Sequence, residues 1–187
     1  MILLTGATGY LGRRIARALA DSRIPFRALV RETSDVSTLK DIRPNVKIIT
    51  GDLNDPDSLL EACAGIETII HTAALVSFQT TDRERLLFVN GEGTANLINM
   101  ALEIGVRRFI HLSSVAVLNR RDGGPVVTLT ERWPEERPNT SYAESKFTAE
   151  REVWRGQAEG LQVSVIYPTH MLGTGDWEHE HAPRLWR

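Results

Sequence analysis

The chain has 187 residues, a formal net charge of −2 and 42% hydrophobic residues. That is enough for one domain burying roughly 70% of the surface its unfolded form exposes, with no disulfide or metal staple. Lys and Arg are scattered rather than gathered in a basic stripe, which argues against nucleic acid as a partner. No segment approaches membrane-spanning length, and with only a short apolar opening ahead of Thr5-Gly6 no leader is expected. With Cys63 the single cysteine, reading as a packing residue between Ala62 and Ala64, a reducing cytoplasmic setting without a membrane partner is expected.

Six short apolar runs, at residues 2–4, 26–30, 46–49, 68–70, 109–112 and 163–167, alternate with amphipathic stretches. They predict six buried strands in a doubly wound α/β fold of Rossmann type, a parallel sheet with helices on both faces. The first strand runs into Gly6-Ala7-Thr8-Gly9-Tyr10-Leu11-Gly12 and then into a helix with Leu11, Ile15 and Leu19 toward the sheet and Arg13, Arg14 and Arg17 toward water. A glycine turn between strand and helix lets backbone N–H groups approach a pyrophosphate at the positive end of the helix. Gly6, Thr8, Gly9, Tyr10, Leu11 and Gly12 are therefore candidate dinucleotide contacts.

The second strand ends at Val30-Arg31, where an acid for the ribose 2′-hydroxyl of NAD commonly stands. A guanidinium there suits a 2′-phosphate, favouring NADP(H) with NAD(H) as the alternative; a solvated pair with Glu32 is the competing reading. After the third strand, Asp52 in Gly51-Asp52-Leu53 either meets an adenine amino group or caps a helix beginning near Asp55. His71 reads as a packed or backbone-bonded residue at a strand end. A helix over 94–104 turns Leu97, Ile98 and Ala101 inward and stops at Gly105. Residues 120–139, with Gly123-Gly124-Pro125, Pro134 and Pro138, read as a long loop over one end of the sheet.

Tyr142 and Lys146 are four residues apart and share one helix face. Ser141 followed by Glu144 forms a capping-box pattern, which puts Tyr142 in the first turn. There the helix dipole and the lysine charge would favour a phenolate, the help a phenol of pKa about 10 needs for acid–base work near neutrality. Glu178, His179, Glu180 and His181 read as a solvated tail, so no metal site is expected.

Taken with the glycine turn, these residues resemble the extended short-chain dehydrogenases/reductases, the NAD(P)-dependent epimerase/dehydratase family. The resemblance runs through Gly51-Asp52-Leu53, His71-Thr72-Ala73-Ala74, Asn90-Gly91-Glu92-Gly93-Thr94, Leu112-Ser113-Ser114, Tyr142 to Lys146 and Tyr167-Pro168-Thr169. Leu29-Val30-Arg31 and the stretch from His71 to Phe78 point to the branch of dihydroflavonol reductases and 3β-hydroxysteroid dehydrogenases. The resemblance implies that Tyr142 is the general acid–base and that Lys146 lowers its pKa and bonds the nicotinamide ribose. It implies that Ser114, with Ser113 as rival, bonds the substrate oxygen, and that Asn90 supports a proton relay, a helix cap being the plainer alternative. Asp52, Leu53, Ala73, Ala74 and Pro168 become cofactor contacts.

Family members continue well beyond the sixth strand. Residues 1–187 are therefore expected to form an NAD(P)-binding domain lacking most of the substrate region, with exposed apolar surface favouring a homodimer. The leading functional expectation is hydride transfer between NADP(H) and a carbonyl or secondary alcohol of a small-molecule substrate. An epimerase or dehydratase with bound NAD, and a non-catalytic dinucleotide module, are the alternatives.

Overall fold

The structure is a computed structural model and describes residues 1–118 and 140–171. Its strands are β1 (Ile2–Thr5), β2 (Phe26–Val30), β3 (Val46–Thr50), β4 (Thr68–His71), β5 (Arg108–Leu112) and β6 (Gln162–Ile166). They form one sheet in the order β3-β2-β1-β4-β5-β6, every neighbouring pair parallel. The direction of winding reverses between β1 and β4, and the loops leaving those two strands open a crevice at the carboxyl edge.

Successive residues of β1 serve opposite faces of the sheet. Leu3 joins a core with Ile69, Phe109, Leu97, Ile98 and Val153, while Leu4 joins one with Ala16, Ala20, Ala28 and Leu39. The first layer is covered by α2 (Pro56–Cys63), α4 (Gly93–Ile104) and α5 (Ser141–Ala158); α1 (Tyr10–Asp21) and a 3₁₀ segment, Ser37–Asn45, cover the second. A short α3 (Arg83–Leu86) passes through a π-helical turn, Leu87–Glu92, directly into α4. Gly105 ends α4 at φ 81°, the left-handed C′ position read from the sequence. Cys63 is fully buried, and burial pushes its thiol up to about 11 against the opposing charge of Arg27.

Ile15 and Leu19 of α1 pack on the core, partly buried beside a buried stripe of Gly12, Ala16 and Ala20, whose small side chains let the helix axis approach the sheet. Two local expectations are corrected. The two edge strands of the described sheet are not buried throughout: in β6, Gln162, Ser164 and Ile166 are exposed while Val163 and Val165 pack on the core, and in β3, Lys47 and Thr50 are exposed while Ile49 is buried. The cap of α5 is Thr140, whose Oγ1 accepts from the N–H of Ala143 at 3.1 Å; Ser141 is already helical. Glu144 is released from a capping box and pairs with Arg83 of α3, at 2.8 Å from Nε and 2.5 Å from a terminal nitrogen. The loop at residues 120–139 and the acidic and histidine-bearing tail at 178–181 lie outside the described residues.

Candidate active site

The glycine turn works by close approach. Gly6 has φ +71°, and a Cβ there would lie 2.6 Å from the Ala73 nitrogen; a Cβ on Gly12 would lie 1.9 Å from the Gly6 carbonyl oxygen. Backbone therefore fills the space a side chain would need, leaving main chain as the wall of the crevice. The N–H of Gly9 donates to the Gly6 carbonyl at 3.0 Å and closes the turn. Gly6, Thr8 and Gly9 line a cleft of about 290 Å³, whereas Tyr10, Leu11 and Gly12 form the first turn of α1 behind it. The Tyr10 ring lies under the Arg14 guanidinium, 3.8 Å from its centroid.

The far walls of the cleft carry the other residues expected to contact a cofactor. Asp52 and Leu53 leave β3, Ala73 and Ala74 leave β4, and Arg31 with Ser34 leaves β2. The Asp52 carboxylate accepts from the N–H of Asn54 at 2.9 Å, an Asx turn; the cap of α2 is Asp55, which accepts from Asp57 at 3.2 Å. Arg31 is exposed and, among the described residues, in no ion pair, so Glu32 does not engage it. Its N–H donates to the Ser34 hydroxyl at 3.1 Å. The backbone cradle, the long cleft and a free guanidinium at one end fit a dinucleotide.

Next to this cleft, α5 lays one face along the end of β5. Residues 142, 146 and 150 are successive turns of that face, and each engages one of three consecutive residues, Leu112 at the end of β5 and Ser113 and Ser114 just past it. The Lys146 ammonium donates to the Leu112 carbonyl at 2.6 Å, the Ser113 hydroxyl donates to the Glu150 carboxylate, and Ser114 hydrogen-bonds the Tyr142 phenol. Ser113 is buried and committed to Glu150, so Ser114 is the serine that faces the phenol. The Phe78 ring stands against Tyr142, centroids 5.9 Å apart. Pro168, just beyond β6, accepts from the N–H of Val115 at 3.2 Å and so borders the same strand end.

Electrostatics here follows burial. Lys146 is 3% exposed, and desolvation lowers its ammonium to about 8 although the charge of Glu150 opposes the shift. Tyr142 is raised above the usual phenol value by burial, with the Ser114 hydrogen bond acting the other way. This corrects the expectation of a favoured phenolate: desolvation outweighs the Ser114 hydrogen bond, and the lysine is drawn to the Leu112 carbonyl.

Asn90 lies within the π-helical turn and is not a cap. Its Oδ1 accepts from the N–H of Leu75 at 2.7 Å, and its Nδ2 donates at 2.9 Å to both the Leu75 carbonyl and the Ser145 hydroxyl. It thus ties the loop after β4 to α5. His71 is fixed by side chains rather than backbone, with the Thr5 hydroxyl at 2.7 Å and that of Thr94 at 3.0 Å. Burial, reinforced by Lys146, lowers it to about 3. His111 stacks on it, centroids 5.4 Å apart, and burial with the charges of Lys146 and His71 lowers it well below the usual range.

Sequence reasoning missed Glu150 and His111, and it quoted Thr94 and Ser145 within motifs without their roles as partners of His71 and Asn90. Only Glu150 carried a signal, as the next acid on the face of Tyr142 and Lys146.

The family model described as "NAD dependent epimerase/dehydratase family" matches residues 2–186. The chain belongs to that family. Sterol demethylase protein B of Methylococcus capsulatus is 37% identical over 178 residues, covering 94% of this chain and 52% of that protein. A putative dihydroflavonol 4-reductase of Synechocystis is 31% identical over 173 residues, 92% of this chain and 50% of the relative, in keeping with the branch the motifs indicated. The solved structure of a short-chain dehydrogenase/reductase superfamily protein from Agrobacterium tumefaciens, with bound NAD, matches at 32% identity and TM-score 0.73 over 89% of this chain and 48% of that one. The chain spans about half the length of the curated relatives it matches. Among the described residues no helix is long and apolar enough to cross a membrane, and no cluster of three or more metal-ligating side chains occurs.

Proposed function

We propose that this chain carries the cofactor cleft and acid–base group of an oxidoreductase acting on a carbonyl or secondary alcohol with NADP(H). One observation carries the reading: Ser114, Tyr142 and Lys146 converge at the carboxyl edge beside a glycine-walled cleft. Gly6, Thr8 and Gly9 would hold the pyrophosphate through backbone N–H groups, and Asp52 and Leu53 would meet the adenine. Ala73 and Ala74 offer backbone to the cofactor at the switch point, and Arg31 with Ser34 offers donors to a 2′-phosphate. A bound nicotinamide supplies or accepts the hydride. The Tyr142 phenol gives a proton to the substrate oxygen as negative charge develops there, and Ser114 donates a hydrogen bond to that oxygen. Lys146 leaves the Leu112 carbonyl for the ribose and brings its cation beneath the phenol.

A second reading, an epimerase or dehydratase with NAD, is favoured by the family description and by the NAD in the Agrobacterium structure. Calorimetry with NADPH and NADH, followed by nicotinamide absorbance with a panel of ketones and nucleotide sugars, separates them. Tighter NADPH binding and its consumption by a ketone support the first. NAD released from purified protein, with sugar interconversion and no net cofactor consumption, replaces it with the second.

A further inference from the structure

Glu150 has no role in the reaction just described, yet it is a carboxylate only 4% exposed in the wall of the candidate site. A buried charge is costly unless neighbours compensate it. Three uncharged donors converge on it: the Ser113 hydroxyl on Oε2, and on Oε1 the Tyr167 hydroxyl at 2.5 Å and the Trp154 indole N–H at 3.1 Å. These donors come from the end of β5, the end of β6 and the next turn of α5. No cation is hydrogen-bonded to Glu150 among the described residues. The charge nearest along its helix face is Lys146, one turn away, itself buried and, among the described residues, hydrogen-bonded to the neutral Leu112 carbonyl alone.

We propose that Glu150 is a positioning residue, the buried counter-charge that keeps Lys146 an ammonium while three fixed donors stop it from collapsing onto the lysine. The proposal rests on the reading of Lys146 given above.

Among the described residues, the surroundings leave this task to Glu150. Lys146 is faced by His111 from β5 and His71 from β4, both kept neutral by burial, and on its own helix by Tyr142, whose phenol burial keeps protonated. Tyr167, just past β6, is spent on Glu150, and burial followed by that carboxylate raises its phenol too. From the π-helical turn, Asn90 contributes no charge, and the Arg83–Glu144 pair between α3 and α5 is internally balanced. Without Glu150, a desolvated lysine would release its proton at neutral pH and lose the charge that steadies a phenolate.

The test needs neither substrate nor cofactor, so its outcome is separable from whether the oxidoreductase reading holds. The lysines are Lys40, Lys47 and Lys146, few enough for selective ¹³C labelling and a side-chain NMR titration of the purified chain. Wild-type Lys146 should titrate near 8, and in Glu150→Gln about one pH unit or more lower, a tenfold loss of proton affinity. Ser113→Ala removes a donor but keeps the charge, so Lys146 should stay within a few tenths of wild type. A folded Glu150→Gln chain with unmoved Lys146 overturns the proposal, as does a Ser113→Ala shift as large as that of Glu150→Gln. If Glu150→Gln does not fold, Glu150→Asp, which draws the charge back by one methylene, carries the test: a downward shift supports the proposal and none overturns it.

Discussion

Burial acts oppositely on the two groups that would run the proton step: it keeps the Tyr142 phenol protonated and loosens the Lys146 proton. As pH rises through about 8, Lys146 becomes neutral, so turnover in a full assay should decline on the alkaline side with a midpoint there rather than near 10. A pH–rate profile flat to pH 9.5 would remove the lysine charge from the mechanism. Tyr142→Phe keeps the ring beside Phe78 and removes only the proton route. Activity should fall by about 10²- to 10⁴-fold while NADPH affinity, measured by calorimetry, stays within a few-fold. Arg31→Ala should weaken NADPH binding by about 1.5–3 kcal/mol and leave NADH nearly unchanged, because only the 2′-phosphate offers a charged partner. Equal losses for both cofactors would detach Arg31 from the phosphate. The Tyr142–Lys146 pair was legible because four-residue spacing fixes a shared helix face. The choice between Ser113 and Ser114 was not: both follow β5 directly, and which of them meets Glu150 appears only once the end of β5 packs against α5.

At the scale of elements, the closest contacts come from glycine, and the chain announces them by spacing. Adding a methyl at Gly12 would drive it into the Gly6 carbonyl, 1.9 Å away. Gly12→Ala should therefore cost about 1–3 kcal/mol or more in denaturant unfolding and abolish dinucleotide binding, since backbone cannot yield as a side-chain tip does. Thr140→Ala should cost about 1 kcal/mol by removing the cap of α5, whereas Ser141→Ala should be nearly silent. The reverse order would restore the capping box. All six strands were readable as apolar runs, and Gly105 as a helix end. The π-helical turn that presents Asn90 was not, because its buried positions are Asn90 and Gly91, which mark no apolar helix face. Nor was Arg27: buried in β2, its guanidinium donates to the carbonyls of Glu61, Ala62 and Ala64 at the end of α2. A charge inside a strand becomes tolerable only when tertiary packing brings orphaned helix carbonyls to it.

Over the whole molecule, the stacked histidines at the ends of β4 and β5 tie stability to acid pH. Both are buried, and their folded-state values lie below the ordinary one, about 3 for His71 and well below 6.5 for His111. The unfolded chain therefore binds protons that the folded chain refuses. Their contribution is fully present above about pH 6.5 and is lost as pH falls below it, by up to about 1.4 kcal/mol per pH unit for each histidine. Urea unfolding at a series of values between pH 7.5 and 5 should show this slope. The two are not equivalent, however. His71 is bonded to Thr5 and Thr94, whereas both ring nitrogens of His111 are without a hydrogen-bond partner among the described residues. His111→Leu should leave stability at pH 7.5 unchanged or raised and cut the acid slope by about half, since it removes a desolvated group that takes up a proton only on unfolding. His71→Leu should flatten the slope similarly but lower stability at pH 7.5, by about 1–3 kcal/mol, because two buried hydroxyls lose their partner. An undiminished acid slope in His111→Leu would mean that this histidine does not exclude its proton in the folded state.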